Sequence, residues 1–260
     1  MSLLTTRGIL LRSHPYSESS RILRFLTPDH GIVAVIAKGA RKRTSKGEGP
    51  METFGQGTLT FAHREGRDLH TLREFERQPG SGGPGGALGL GRDVRRFIGA
   101  SLIAELILVH TLEEGDPDLY GWVLQAMDEL SKAAEEEVPG RILAGAWKVV
   151  ALLGFPPGLD HCVRCGAPVP SEGLARFDVA AGGLRCDGCA PEEGMRRVGP
   201  TARTHLRRLV AGETPAPLPG VSAHLGLLEA FTLHHLAPAR RLRGFEMLRP
   251  LLPAEGSPPG

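Results

Sequence analysis

Two cysteine doublets restrict the fold of this chain more than any other feature. Cys162-x2-Cys165 and Cys186-x2-Cys189 are separated by 20 residues. A CxxC turn lets two thiolates grip one cation. A hairpin between the doublets brings the second pair round to complete a tetrahedron of sulfur. Each doublet has a glycine at its turn, Gly166 and Gly188, and residues 176–179 and Leu184 flank a turn at 180–183 that supplies the hairpin. The spacing predicts a zinc-ribbon-like module at about 160–195, with Cys162, Cys165, Cys186 and Cys189 as ligands of a structural Zn2+. Four protein ligands close the coordination sphere and leave no position for a substrate. The other readings of four cysteines are a site that has lost its metal, a pair of disulfides, or a redox dithiol. His161, beside the first doublet, reads as a solvent-facing neighbour rather than a substitute ligand.

The hydrophobic period changes along the chain. Residues 79–91 (PGSGGPGGALGLG) hold seven Gly and two Pro, which predicts a flexible linker or exposed loop. Before it, short β-branched and aromatic segments at 5–13, 20–27, 32–37, 58–63 and 69–75 alternate with turn signals. Five strands in under 80 residues is the size of a small antiparallel barrel such as an OB-fold. After the linker the period is helical. Segment 94–112 is apolar nearly all round. Asp116-Pro117 opens a helix whose Leu119, Trp122, Val123, Ala126, Met127 and Leu130 form one stripe. Further helices are expected at 141–153, 201–211 and 222–236. The expected architecture is therefore α+β. An OB-fold β-barrel (1–78) and a Gly/Pro-rich linker (79–91) precede a helical domain (92–252) that carries the inserted zinc module, and a tail (253–260) follows.

Charge follows the same divisions. Residues 1–78 hold 13 Lys/Arg against 8 Asp/Glu, and residues 92–158 hold 6 against 11. The loop 37–47 contributes Lys38, Arg41, Lys42, Arg43 and Lys46 with no acidic residue among them. With Arg12, Arg21 and Arg24 these predict a basic groove on the barrel, the electrostatic arrangement that holds single strands. Aromatic residues are only 5%, so phosphate contacts should outweigh base stacking and give weak sequence preference. A second basic group follows the acidic middle. It comprises Arg164, Arg176 and Arg185 in the cysteine module, then Arg196, Arg197, Arg203, Arg207 and Arg208, read as a helical run.

No apolar run approaches the ~20 residues of a membrane span, and the start MSLLTTRG lacks the pattern of a signal peptide. A cytoplasmic protein with no membrane partner is the expectation. There is no G-x-S-x-G, Walker A or HExxH motif, so no catalytic residues are assigned and a non-enzyme is expected. The acidic loop Glu113, Glu114, Asp116 and Asp118 leaves a metal-dependent nuclease as an alternative, although a solvated connection between helices explains it more simply. A zinc-ribbon scaffold that binds only proteins is a third reading. His205, His224, His234 and His235 lie on helical segments and read as packing or surface residues.

Several blocks resemble the RecO family of bacterial recombination mediators: GILLRSHPYSESSRIL at 8–23, LTPDHGIVAVIAKGARK at 26–42, DPDLY at 116–120 and LLGFPPGLDHCVRCG at 152–166. The resemblance runs in order through nearly the whole chain. It implies an N-terminal OB domain, a helical C-terminal domain and an inserted zinc module. It also implies binding of single- and double-stranded DNA, annealing of complementary strands, and partnership with RecR, single-strand binding protein and, indirectly, RecA, in a nucleoid-associated setting.

Overall fold

The computed structural model describes residues 2–38, 51–78, 87–110, 114–190, 195–238 and 240–252. By packing, the chain divides into two compact units, 1–132 and 133–260. Among the described residues no helix is long and apolar enough to cross a membrane.

In the first unit five strands close a barrel in the order β1-β2-β3-β5-β4: β1 (Ser2–Pro15), β2 (Arg21–Thr27), β3 (Gly31–Ala37), β4 (Gln56–His63) and β5 (Leu69–Arg77). The length of β1 makes closure possible. Its first half pairs with β4 from Ser2↔His63 to Ile9↔Gln56, and its second half pairs with β2 from Ile9↔Leu26 to Pro15↔Arg21. A bulge between Leu10 and Arg12 bends the strand from one partner to the other. The expected barrel was antiparallel, but its last seam is not: β3 and β5 run parallel through Ala34↔Leu69, Val35↔His70 and Ile36↔Thr71. This order is that of an OB-fold. Alternation sends Leu10, Leu23, Phe25, Val33, Val35, Ala37, Leu59 and Phe61 inward to a buried core. At Gly57 a Cβ would meet the Glu76 carbonyl at 2.3 Å and the Phe75 ring at 2.8 Å, so no larger residue fits where β5 folds over β4.

Three helices complete this unit: α1 (Ala87–Gly91), α2 (Val94–Val109) and α3 (Pro117–Lys132). The last five residues of the expected linker are thus helical, because Leu90 finds a buried place that the glycine count did not reveal. Asp93 caps α2 by accepting from the amides of Arg95 (2.8 Å) and Arg96 (3.1 Å). Burial would raise its carboxyl pKa, but these amides and the Arg95 guanidinium outweigh that and hold it below the usual carboxylate range. Asp116 caps α3 through the Leu119 amide at 2.9 Å. The Arg96 guanidinium donates to the carbonyls of Leu130 and Ser131, fastening α2 to the end of α3.

The second unit contains α4 (Val138–Leu152), β6 (Ala175–Asp178), β7 (Gly183–Arg185), β8 (Arg196–Val198), α5 (Pro200–Ala211), α6 (Val221–His235) and α7 (Arg243–Leu248), followed by a 3-10 turn (Arg249–Leu251). Helix α4 packs on α5 and α6, with the buried Trp147 ring 5.3 Å from Phe231. The three short strands form a sheet in the order β7-β6-β8, and Phe177 reaches Phe231 of α6 at 6.2 Å. Arg196 and Arg197, expected on a helix, form β8 instead. Pairing with β6 and Pro200 at the following helix start place the boundary after them.

Candidate metal centre and nucleic-acid interface

The cysteine module is built by the backbone before its side chains matter. The stretch around Gly158 lies parallel to β7 through Gly158↔Gly183, and the Val163 amide donates to the Leu184 carbonyl at 2.9 Å. This sets the first doublet beside the hairpin that leads to the second. In the first turn the Gly166 amide returns to the Cys162 carbonyl (2.9 Å), with Gly166 at φ 75°. In the second the Cys189 amide returns to the Cys186 carbonyl (3.0 Å). The hairpin is held by Asp178, which accepts from the Ala181 amide at 3.0 Å and pairs with Arg185. Arg185 also donates to the Cys189 carbonyl at 3.3 Å, so one guanidinium links the hairpin to the second doublet.

As a result the Sγ atoms of Cys162, Cys165, Cys186 and Cys189 all lie within 4.8 Å of one another. Sulfurs on a tetrahedral cation with bonds of ~2.3 Å stand ~3.8 Å apart, and Cys165 and Cys186 are 3.7 Å apart. The donor set and spacing fit a tetrahedral thiophilic metal. The thiol acidities agree. Amides of Cys186 and then Cys165 pull Cys162 down to about 6. Hydrogen bonding with the Cys165 and Cys186 thiols pushes Cys189 up to about 12. Four thiols this close together can all ionise only with a cation to balance them. His161 is exposed, as expected of a bystander. Among the described residues these cysteines form the one cluster of three or more His, Cys, Asp or Glu side chains with metal-ligand spacing. Glu113 lies outside the described residues, and Asp116 of the same acidic loop serves as a helix cap.

On the barrel, register sets Arg12 of β1 directly opposite Arg24 of β2. Arg21 sits at the end of the same pair of strands, donating to the Ser13 hydroxyl at 2.7 Å. Partial burial and then Arg12, Arg24 and Arg21 all depress the pKa of His14, so the three guanidinium groups act on one spot. His14 itself was not foreseen, because its role depends on register. Arg24 and Lys38 are exposed. Arg12 is partly engaged by Glu105 of α2 at 3.3 Å, a partner 93 residues away that no local pattern could reveal. Arg41, Lys42, Arg43 and Lys46 lie outside the described residues.

The arginines of α5 do structural work. Arg203, 1% exposed, donates to the carbonyls of Pro170, Ser171 and Gly173 at 2.6–2.8 Å. Arg207 pairs with Asp160 (2.8 Å) and Arg208 with Glu213 (3.1 Å). Three of the five residues read from sequence as a basic run therefore already have partners within the unit.

Residues 1–77 match the family model described as Recombination protein O N terminal, and residues 91–243 the one described as Recombination protein O C terminal. A DNA repair protein RecO from Rubrobacter xylanophilus is 37% identical over 240 residues, covering 88% of each chain. Another, from Anaeromyxobacter dehalogenans, is 33% identical over 255 residues, covering 94% of this chain and 96% of the relative. The chain belongs to the RecO family. RecO proteins are DNA repair proteins, so the basic strands and the cysteine cluster belong to a repair factor. The two RecO family segments meet near the glycine-rich stretch, whereas the packing boundary falls after Lys132, because α1–α3 pack with the barrel.

Proposed function

We propose that this chain is a recombination mediator that binds single- and double-stranded DNA, anneals complementary strands and, with RecR and single-strand binding protein, helps RecA to load. The observation that carries the reading is the cross-strand pair Arg12 and Arg24 with Arg21 beside it, three cations on one region of an OB barrel. In this reading residues 1–78 are the DNA-binding domain. Arg12, Arg21, Arg24 and Lys38 contact phosphates, and Arg41, Lys42, Arg43 and Lys46 extend the same surface. Annealing brings two polyanions within a Debye length of ~8–10 Å, so neutralising phosphates lowers the repulsion between them without reading sequence.

The cysteines hold a structural Zn2+ in this reading, the tetrahedral thiolate ion that best suits four cysteines. It closes the module and takes no part in chemistry. The helical domain at 92–252 carries that module, and the protein works in the cytoplasm at the nucleoid.

The test is annealing of labelled complementary strands, with and without a coat of single-strand binding protein. Acceleration on both naked and coated strands is expected, and no acceleration on either would refute the mediator role. Replacing Arg21, Arg24 and Lys38 with Gln should flatten the salt dependence of single-strand binding by about 0.7 per lost phosphate contact. Incubation with Mg2+ should leave labelled DNA intact, and cut products would point to a nuclease.

A further inference from the structure

We infer that Tyr16, on the turn between β1 and β2, is a base-stacking residue for single-stranded DNA and gives the barrel a preference for unpaired over paired strands. The inference rests on the DNA-binding reading and adds to it a contact that phosphates cannot make.

The turn holds the tyrosine on a fixed mount. The Tyr16 amide donates to the Ser20 carbonyl at 3.0 Å, one pair beyond Pro15↔Arg21, so the β1–β2 ladder runs on to Tyr16. The Ser17 amide shares that carbonyl at 3.3 Å, and the Ser17 hydroxyl oxygen accepts from the Ser20 amide at 3.2 Å. Pro15 fixes its own φ and keeps His14 extended. Alternation then puts Arg12, His14 and Tyr16 on one face, each ~7 Å from the next, with Arg24 directly opposite Arg12. In an OB-fold the turn between the first two strands is one of the places where oligonucleotides bind.

The ring stands open beside these cations. Tyr16 is 60% exposed, and no other ring lies against it among the described residues. Phe97, the other exposed aromatic side chain, rests edge-on against the buried Phe54 at 5.7 Å. The turn has one carboxylate, Glu18, outnumbered by Arg12, Arg21 and Arg24 at this end of the ribbon. A nucleotide offers a flat face and a charge. Here a base can lie on Tyr16 while its neighbouring phosphates meet the guanidinium groups. Every base has such a face, so the contact leaves sequence preference weak. In a duplex the bases are stacked on one another and present no free face, whereas the phosphates remain accessible. Tyr16 therefore favours the strand before pairing, and the annealed product is held less tightly than the strand that entered.

The experiment titrates the full chain and Tyr16→Ala with oligothymidylate, with an abasic strand of the same length and with a duplex, over a range of salt. The variant should bind oligothymidylate about tenfold more weakly, the loss of one stacked base. Duplex and abasic strand should bind as before, and the salt slope should not change, because no phosphate contact is lost. Tyr16→Trp should restore the affinity for oligothymidylate. Unchanged melting would show that each variant is folded. The wild type alone gives a second readout, since it should hold the abasic strand about tenfold more weakly than oligothymidylate. Undiminished binding of oligothymidylate by Tyr16→Ala, or an equal loss on all three probes, would overturn the inference and leave phosphate binding by the barrel standing. Equal affinity of the wild type for the abasic strand and oligothymidylate would do the same. A wild type that binds no DNA at low salt would remove the DNA-binding reading and this role of Tyr16 with it.

Discussion

The barrel and the cysteine-bearing unit use arginine in opposite ways. In the barrel the core is a closed set of apolar side chains from five strands, and Arg12, Arg21 and Arg24 stand outside it. In the second unit Arg203 is among the largest fully buried side chains, and Arg185 ties a hairpin to a metal-type turn. The difference follows from size. Strands β6, β7 and β8 are four, three and three residues long, too little to bury a core of their own. Such a module must be held by thiolates, an internal ion pair and a guanidinium clamped on carbonyls. A barrel that fills itself keeps its cations outside the core, where Arg24 is exposed and Arg12 reaches Glu105.

The largest effect should come from breaking the cysteine cluster. Cys186→Ser, or removal of metal by a chelator, should cost the second unit about 5 kcal/mol or more, since metal binding and folding are one process in such modules. Hydrogen exchange should show loss of protection at β6–β8 while the barrel strands stay protected. Equal loss in both regions would show that the barrel also depends on the module.

Next is Arg203→Met, which leaves three carbonyls without their donor in a buried place. A loss of about 3–5 kcal/mol in urea unfolding is expected. Leu23→Ala in the barrel should cost a similar 2–5 kcal/mol for a different reason, the cavity left in an apolar core. If Arg203→Met is neutral, the contrast between a polar-tied module and a self-filling barrel fails.

The same contrast explains what was legible in sequence. The expected strands at 20–27, 32–37, 58–63 and 69–75 lie within a residue of the start of β2–β5 or inside them, apart from two residues at the start of β4 and two at the end of β5. Alternation is a local signal, and the barrel is made of it. The cysteines were legible because metal geometry fixes their spacing. The helix stripe of α3 and its Asp116 cap were legible for the same local reason. What could not be read depends on partners distant in the chain: Glu105 on Arg12, Arg203 on the 170–173 loop, and β8, whose three residues pair with a strand twenty residues earlier. The parallel β3–β5 seam belongs to this class, since nothing in either strand encodes the direction of its neighbour.

A smaller effect is expected from pH, largest in the second unit. Burial first, and then His205, lower His224 to about 4. His205, its ring 6.4 Å away, is lowered by burial and then by Arg208. A histidine held neutral in the folded state takes up its proton more readily when unfolded, near the ordinary ~6.5. Stability is therefore complete above that value and falls as pH drops toward 4, by about 2 kcal/mol at pH 5 from His224 alone. Urea midpoints at pH 7 and pH 5 measure it, and His224→Gln should flatten the dependence. An unchanged dependence in that variant would place the sensitive group elsewhere.

The smallest effect on stability should accompany an informative effect on binding. Glu105 reaches Arg12 from α2 with only 12% of its side chain exposed, against 30% for Arg12. A carboxylate at 3.3 Å from the guanidinium occupies a place that a phosphate oxygen would take, so the barrel holds an internal competitor for its own ligand. Arg12 faces Arg24 across the strands, and the Glu105 charge relieves that repulsion while no DNA is present. Glu105→Gln should cost about 1 kcal/mol or less in stability, the range of partly exposed pairs. It should tighten single-strand binding and steepen the salt slope by about 0.7, one further phosphate contact. A general change in charge would also tighten binding, so the decisive measurement is a double-mutant cycle with Arg12→Gln. If Glu105 acts through Arg12, its replacement has no effect on DNA binding once Arg12 is gone. Equal gains with and without Arg12 would mean that the helix merely repels DNA from a distance.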